Sequence, residues 1–265
     1  MNRTLETLGR SLASFLSEPR HHHGASAPTP RELLRATLRP GDVLLVEGGS
    51  RISTAIKYLT QSTWSHVALF IGPQAPGRLA DSNHCFIEAD LIDGVRGAGF
   101  ECFETFHTRI CRPVGLSEDE TNVLVDWALA QIGRKYDLRN VFDLMRYLLP
   151  TPPVPSQFRR RMIALGSGDP TRAICSTLVA EAFQAIGYPI LPVIEYRPAP
   201  SEDCPLCQQE VLRIRHHSLY APRDFDVSPY FEVVKPTIQG FDFHGLAWAR
   251  PPADALAAGA PATRS

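Results

Sequence analysis

The run Trp64-Ser65-His66-Val67-Ala68-Leu69-Phe70-Ile71-Gly72 reads as a β-strand that opens on a histidine and stops at a glycine. Upstream, Asp42-Val43-Leu44-Leu45-Val46 is a short apolar run that suits a buried strand, turned by Gly48-Gly49-Ser50. Ser50 or Ser53 can then cap a helix through Ile52, Ile56, Tyr58 and Leu59. The glycines and serines lack the Gly-Lys-Ser/Thr ending of a phosphate loop, which excludes that motif. Downstream, Cys85-Phe86-Ile87-Glu88-Ala89 is a third strand, and further strands are expected near Gly99–Phe103 and Thr108–Arg112.

The longer helices follow the first five strands. Ser117 with Glu120 forms a capping box, and the acidic first turn suits the helix dipole of a helix running through Leu124, Trp127, Ala128 and Ile132. A second helix is expected over Asn140–Leu149, ended by Pro150, Pro152, Pro153 and Pro155. A third carries Leu178, Val179, Ala182, Phe183 and Ile186 on one face and ends at Gly187. The proline-rich stretch Tyr188–Pro205 predicts a rigid irregular loop, and Leu212–Tyr220 another strand. Arg223-Asp224-Phe225-Asp226 predicts a turn leading to a last strand, Phe231–Val234. No βαβ rhythm appears, so the expected class is α+β: a small, mostly antiparallel sheet or partial barrel packed on the cysteine-bearing helix and the two helices before it. Residues 1–36 read as an amphipathic segment and linker, 37–250 as the domain, and 251–265 as a disordered Ala/Pro tail.

Composition narrows the function. Of 265 residues, 44% are hydrophobic and 21% charged, which supports a core and excludes wholesale disorder. Lys plus Arg (27) nearly cancels Asp plus Glu (28), so nothing drives the chain toward nucleic acid or an anionic membrane. The 23 prolines exceed the usual share and cluster outside Val114–Leu149. Leu5, Leu8, Leu12, Phe15 and Leu16 recur at helical spacing, a stripe that can dock on the protein or make weak membrane contact. No apolar run is long enough to cross a membrane and no signal-peptide block is present, so a reducing cytoplasm with free thiols is the expectation.

Cys175 lies near the start of the third helix, where unpaired N–H groups and partial positive charge favour a thiolate and can hold a tetrahedral oxyanion. A nucleophilic cysteine needs a base, and the base needs an orienting partner. His66 opens one strand and Glu88 lies on the next, so this pair can supply both. Read alone, each residue has a blander account: cysteines on apolar helices usually pack, and strand histidines and glutamates are usually structural or solvated.

The motifs taken together weigh against the bland account. Pro40-Gly41-Asp42-Val43-Leu44-Leu45-Val46, Trp64–Gly72, Phe86-Ile87-Glu88-Ala89 and Ile174-Cys175-Ser176-Thr177-Leu178-Val179 resemble the YiiX/YebB-like group. Those proteins are permuted members of the NlpC-type, papain-like amidase superfamily. Ile132-Gly133-Arg134-Lys135-Tyr136-Asp137, Pro222-Arg223-Asp224-Phe225 and Tyr230–Lys235 are similar to it as well, so the resemblance runs from about Leu38 to Lys235. It implies a permuted papain-like topology with Cys175 as nucleophile, His66 as base and Glu88 as orienting residue. It places Tyr136 near the oxyanion or a polar substrate group, with Ser176 and Ser65 as further candidate contacts. The implied activity is a cysteine hydrolase of the amidase or peptidase type, acting on an amide or ester carbonyl of a small peptide or acyl lipid, without a cofactor. The alternatives are a lipid-directed acyltransferase or esterase on the same triad and a non-catalytic binding module with a zinc site at Cys204 and Cys207.

Cys204-Pro205-Leu206-Cys207 with His216 and His217 is the other constellation. Two thiolates and an imidazole suit zinc, but adjacent histidines on a strand point to opposite faces. Free surface thiols are the favoured reading there, with zinc on Cys204, Cys207 and His216 as a lesser one and a redox pair of Cys204 and Cys207 below that. Cys85, Cys102 and Cys111 are expected in the core, and His84 and His107 at the surface.

Overall fold

The computed structural model describes residues 28–74, 78–79, 81–90, 93–135, 174–198, 204, 207–237 and 244. The stripe from Leu5 to Leu16, the expected helix over 140–149, Tyr136, the prolines at 150–155 and the tail at 251–265 lie outside them. The elements in order are α1 (Arg31–Thr37), β1 (Val43–Val46), α2 (Arg51–Thr60), β2 (His66–Phe70), β3 (Phe86–Asp90), β4 (Gly94–Ala98) and β5 (Thr108–Pro113). Then come α3 (Glu118–Ala130), α4 (Ile174–Ala185), β6 (Val193–Pro198), β7 (Gln208–Arg213), α5 (Pro222–Asp226) and β8 (Phe231–Val234).

Six strands form one antiparallel sheet in the order β4-β3-β2-β1-β5-β8. The fold is α+β as expected, and the sheet is open rather than closed into a barrel, with β4 and β8 as its edges. Both faces are covered. Val43, Leu45, Val67, Leu69, Ile87 and Val95 pack with Leu124 of α3 and Leu178, Val179 and Phe183 of α4. Leu44, Val46, Ala68, Phe70, Phe86 and Ala98 pack with Leu34, Phe100 and Phe103 on the other side. A strand buried on both faces has no solvent side for polar alternation, which is why β1 and β2 are nearly continuous apolar runs. Each fully buried Leu, Ile or Phe in these layers contributes about 1.5–3 kcal/mol.

Local chemistry fixes the helix starts. Ser50 accepts from the Ser53 N–H at 3.2 Å and caps α2. At α3, the Ser117 hydroxyl accepts from the Glu120 N–H while the Glu120 carboxylate accepts from the Ser117 N–H at 2.9 Å. Beyond α3, the Val95 N–H donates to Arg134 O and the Gly133 N–H donates to Val95 O, both at 2.9 Å. Gly94 sits at φ +79°, and a Cβ there would fall 2.5 Å from Arg134 O, so this clasp needs glycine.

Four expectations are corrected. The strand placed near Gly99–Phe103 is Gly94–Ala98, and a 3₁₀ turn, Phe100–Cys102, follows it. The stretch read as an irregular loop after Tyr188 contains β6, which pairs with β7 as a separate two-stranded sheet. Cross-strand hydrogen bonding therefore overrode the proline count; Pro198 ends β6 instead of forbidding it. The expected strand Leu212–Tyr220 is strand only to Arg213, and His217–Leu219 is a 3₁₀ turn. The turn expected at Arg223–Asp226 is a short helix with Pro222 as its first residue, where proline's missing N–H costs nothing.

Candidate active site

In the β2–β3 ladder Ala68 lies opposite Glu88. His66, two residues before Ala68, shares that face and reaches Glu88 diagonally. Its Nε2 donates to Glu88 Oε2 at 2.7 Å. In the next ladder Glu88 lies opposite Arg96. Arg96 donates from Nε at 3.0 Å and approaches with Nη2 at 2.9 Å, both to Oε1. One carboxylate oxygen thus serves the imidazole and the other the guanidinium. Arg96 also meets Asp93 at 3.1 Å and Asp90 at 3.7 Å.

Cys175 is the second residue of α4 and is 5% exposed. Its sulfur is near enough to His66 to act on the imidazole's charge. Because Nε2 is taken by Glu88, Nδ1 is the ring nitrogen left for the sulfur. The helix packs on the Val67 and Ile87 face, whereas His66 and Glu88 alternate to the opposite face. His66 is the first residue of β2 and so lies at the end of that strand. The Ser176 hydroxyl donates to Tyr220 O at 2.7 Å, which ties the first turn of α4 to the segment leading into α5.

The electrostatics couple these groups. Burial disfavours the imidazolium, but the Cys175 sulfur and the Glu88 carboxylate, each by charge and hydrogen bond, raise the His66 pKa well above 6.5. Burial likewise opposes the Glu88 carboxylate, and His66 and Arg96 overcome it to hold that pKa below 4.5. The arrangement can stabilise an imidazolium beside a sulfur with a buried carboxylate behind it, the charge distribution of a thiolate–imidazolium pair.

The remaining candidates are placed as follows. Ser65 is buried, and its hydroxyl accepts from the Gly48 N–H at 2.9 Å, holding the β1–α2 turn beside His66. The Ser176 hydroxyl points to Tyr220 rather than toward the sulfur. Tyr136 lies outside the described residues. Cys85 and Cys111 are buried, and burial pushes both thiols up to about 12; Cys102 is half-buried and also raised. His84 and His107 are each about a quarter exposed, and His107 meets Glu47 at 3.3 Å.

The reading of Cys204 and Cys207 as free thiols or zinc ligands is corrected: they form a disulfide. Their Cα atoms are 5.3 Å apart, within bonding range, and a sulfur bonded to sulfur is no thiolate ligand. His216 Nδ1 bonds Ser218 Oγ at 2.8 Å instead. Among the described residues no group of three or more His, Cys, Asp or Glu is placed to hold a metal ion.

Arg96 is the residue that sequence reasoning missed. Its place opposite Glu88 follows from the β3–β4 register, in which Asp90 pairs with Gly94.

No protein-family model matches the chain, and no curated protein matches it. Among solved structures, the metalloprotein yiiX from Escherichia coli O157:H7 (DUF1105) is similar, at 15% sequence identity and a TM-score of 0.44. The match covers 76% of this chain and 98% of that one. Likeness at this level transfers neither an activity, a metal nor a residue role. Among the described residues, no helix is long and apolar enough to cross a membrane.

Proposed function

We propose that the chain is a cysteine hydrolase of the amidase or peptidase type, with the permuted papain-like arrangement that its motifs resemble. The observation that carries this reading is the set Cys175, His66 and Glu88: a sulfur that acts on the imidazole, and a 2.7 Å bond from imidazole to a buried carboxylate. In the proposed mechanism His66 takes the proton of Cys175 and the thiolate attacks an amide or ester carbonyl. The N–H groups of the first turn of α4 hold the oxyanion, as the first turn of a helix leaves such donors without intrahelical partners. His66 then returns its proton to the leaving amine or alcohol. Water, deprotonated by the same imidazole, releases the acyl group and regenerates the thiol. Glu88 keeps the ring oriented and favours its protonated form, and Arg96 is a positioning residue for Glu88.

The experiment is a screen of small peptide amides and acyl esters against wild type and Cys175→Ala, read by intact mass. The expected result is an acyl adduct on wild type that Cys175→Ala lacks. Turnover that survives Cys175→Ala would overturn the assignment.

A further inference from the structure

A polar cavity opens at the same end of the sheet. It has a volume of about 640 Å³ and is lined by Lys57, Trp64, His107, Arg109, Arg223 and Asp226, among others. Arg109 pairs with Leu45 in the β1–β5 ladder, so strand alternation puts it on the face that α4 covers. Trp64 belongs to the same buried cluster as Cys175. The cavity therefore lies on the α4 side, one and two strands across from the start of β2.

Its charge is unusual for a chain in which acid and base balance. Three permanent cations, Lys57, Arg109 and Arg223, face one lining carboxylate, Asp226. Both oxygens of that carboxylate are occupied: Oδ2 accepts from Trp64 Nε1 at 3.0 Å, and Oδ1 accepts from Arg109 Nη1 at 2.7 Å. The Arg109 guanidinium also lies 5.0 Å over the Trp64 ring, so its plane is held by an ion pair and a cation–π contact together. Lys57 stands 3.6 Å from Glu47, an attraction too long for a direct hydrogen bond. Arg223 gives Nη1 to Thr60 O at 3.2 Å and, among the described residues, meets no carboxylate. A guanidinium has five N–H donors in a planar fork, the geometry that matches phosphate oxygens.

We propose that this cavity binds a phosphate group, cradled by Arg223, Lys57 and Arg109. A volume of about 640 Å³ exceeds what a bare phosphate fills and falls within the usual range for a small organic ligand. A phosphate carried on a larger molecule is therefore the expected form, with the free ion as the other source of the same chemistry. The site is independent of the thiol chemistry proposed above and stands or falls separately from it.

Calorimetric titration of the full chain at low salt tests this, with inorganic phosphate in one arm and glycerol phosphate in the other. Saturable binding to wild type is expected. It should weaken roughly tenfold or more in Arg223→Gln and in Lys57→Gln, fall as salt rises, and persist in Cys175→Ala. Tighter binding of glycerol phosphate identifies an esterified phosphate as the ligand, and tighter binding of the inorganic ion identifies free phosphate. Thermal melts confirm that each variant is folded. If neither compound binds wild type saturably, or if folded Arg223→Gln and Lys57→Gln both bind as wild type does, the proposal is wrong.

Discussion

Glu88→Gln isolates the charge behind the imidazole. The substitution keeps the shape of a side chain that is 6% exposed and removes only its negative charge. His66 loses a charge-assisted bond of 2.7 Å, a type of interaction that is worth about 1.5–3 kcal/mol. The imidazole is 27% exposed, so water screens part of this, and about 1.5 kcal/mol is the appropriate figure. That corresponds to roughly a tenfold fall in the population of the imidazolium–thiolate pair. Arg96 keeps Asp93 at 3.1 Å and Asp90 at 3.7 Å as partners, so the fold should tolerate the change. The assay is the rate of Cys175 alkylation by iodoacetamide against pH. Glu88→Gln should label about tenfold more slowly near pH 6 and equally fast near pH 10, where a thiol ionises without help. Equal rates near pH 6 would refute the coupling. A uniform loss at every pH would instead assign Glu88 a purely structural role.

Three further outcomes are expected. In wild type near neutral pH, a mild alkylating reagent should modify Cys175 and spare Cys85 and Cys111, whose thiols burial pushes up to about 12; peptide mapping reads this directly. Asp42→Asn should cost about 3 kcal/mol in denaturant unfolding, because Asp42 is 1% exposed and takes two Arg112 bonds at 2.8 and 2.7 Å. The His66 pKa is raised on folding, so its contribution to stability is complete below about 6.5 and is lost as pH rises through the folded-state value. His66→Gln should remove that alkaline decline and also shrink the loss on the acid side, because His66 is one of the two groups that hold the Glu88 pKa down; thermal melts across pH read both limbs.

Much of the sheet was legible because its cause is local and repetitive. Val43–Val46, His66–Phe70 and Phe86–Asp90 are apolar runs of strand length, and Ser117 with Glu120 marks a helix start by chemistry confined to four residues. The hairpin β6–β7 was hidden, since Val193–Pro198 and Gln208–Arg213 are mostly exposed and carry no buried face to set a period. The Cys204–Cys207 bond was hidden for a different reason: a spacing of three residues suits a metal clip, a redox pair and a disulfide alike.

The open question about the thiol, base and carboxylate was their distance, and sequence order carries no distance. By itself the sequence determined that His66 begins a strand, Glu88 sits within the next one and Cys175 lies at a helix start, because strand and helix periods follow from neighbouring side chains. Only the tertiary structure decided that these three meet, that Arg96 stands behind Glu88, and that Lys57, Arg109 and Arg223 gather around one cavity. Those relations depend on ladder register and on how helices dock over the sheet's end. They join residues separated by 8 to more than 160 positions in the chain.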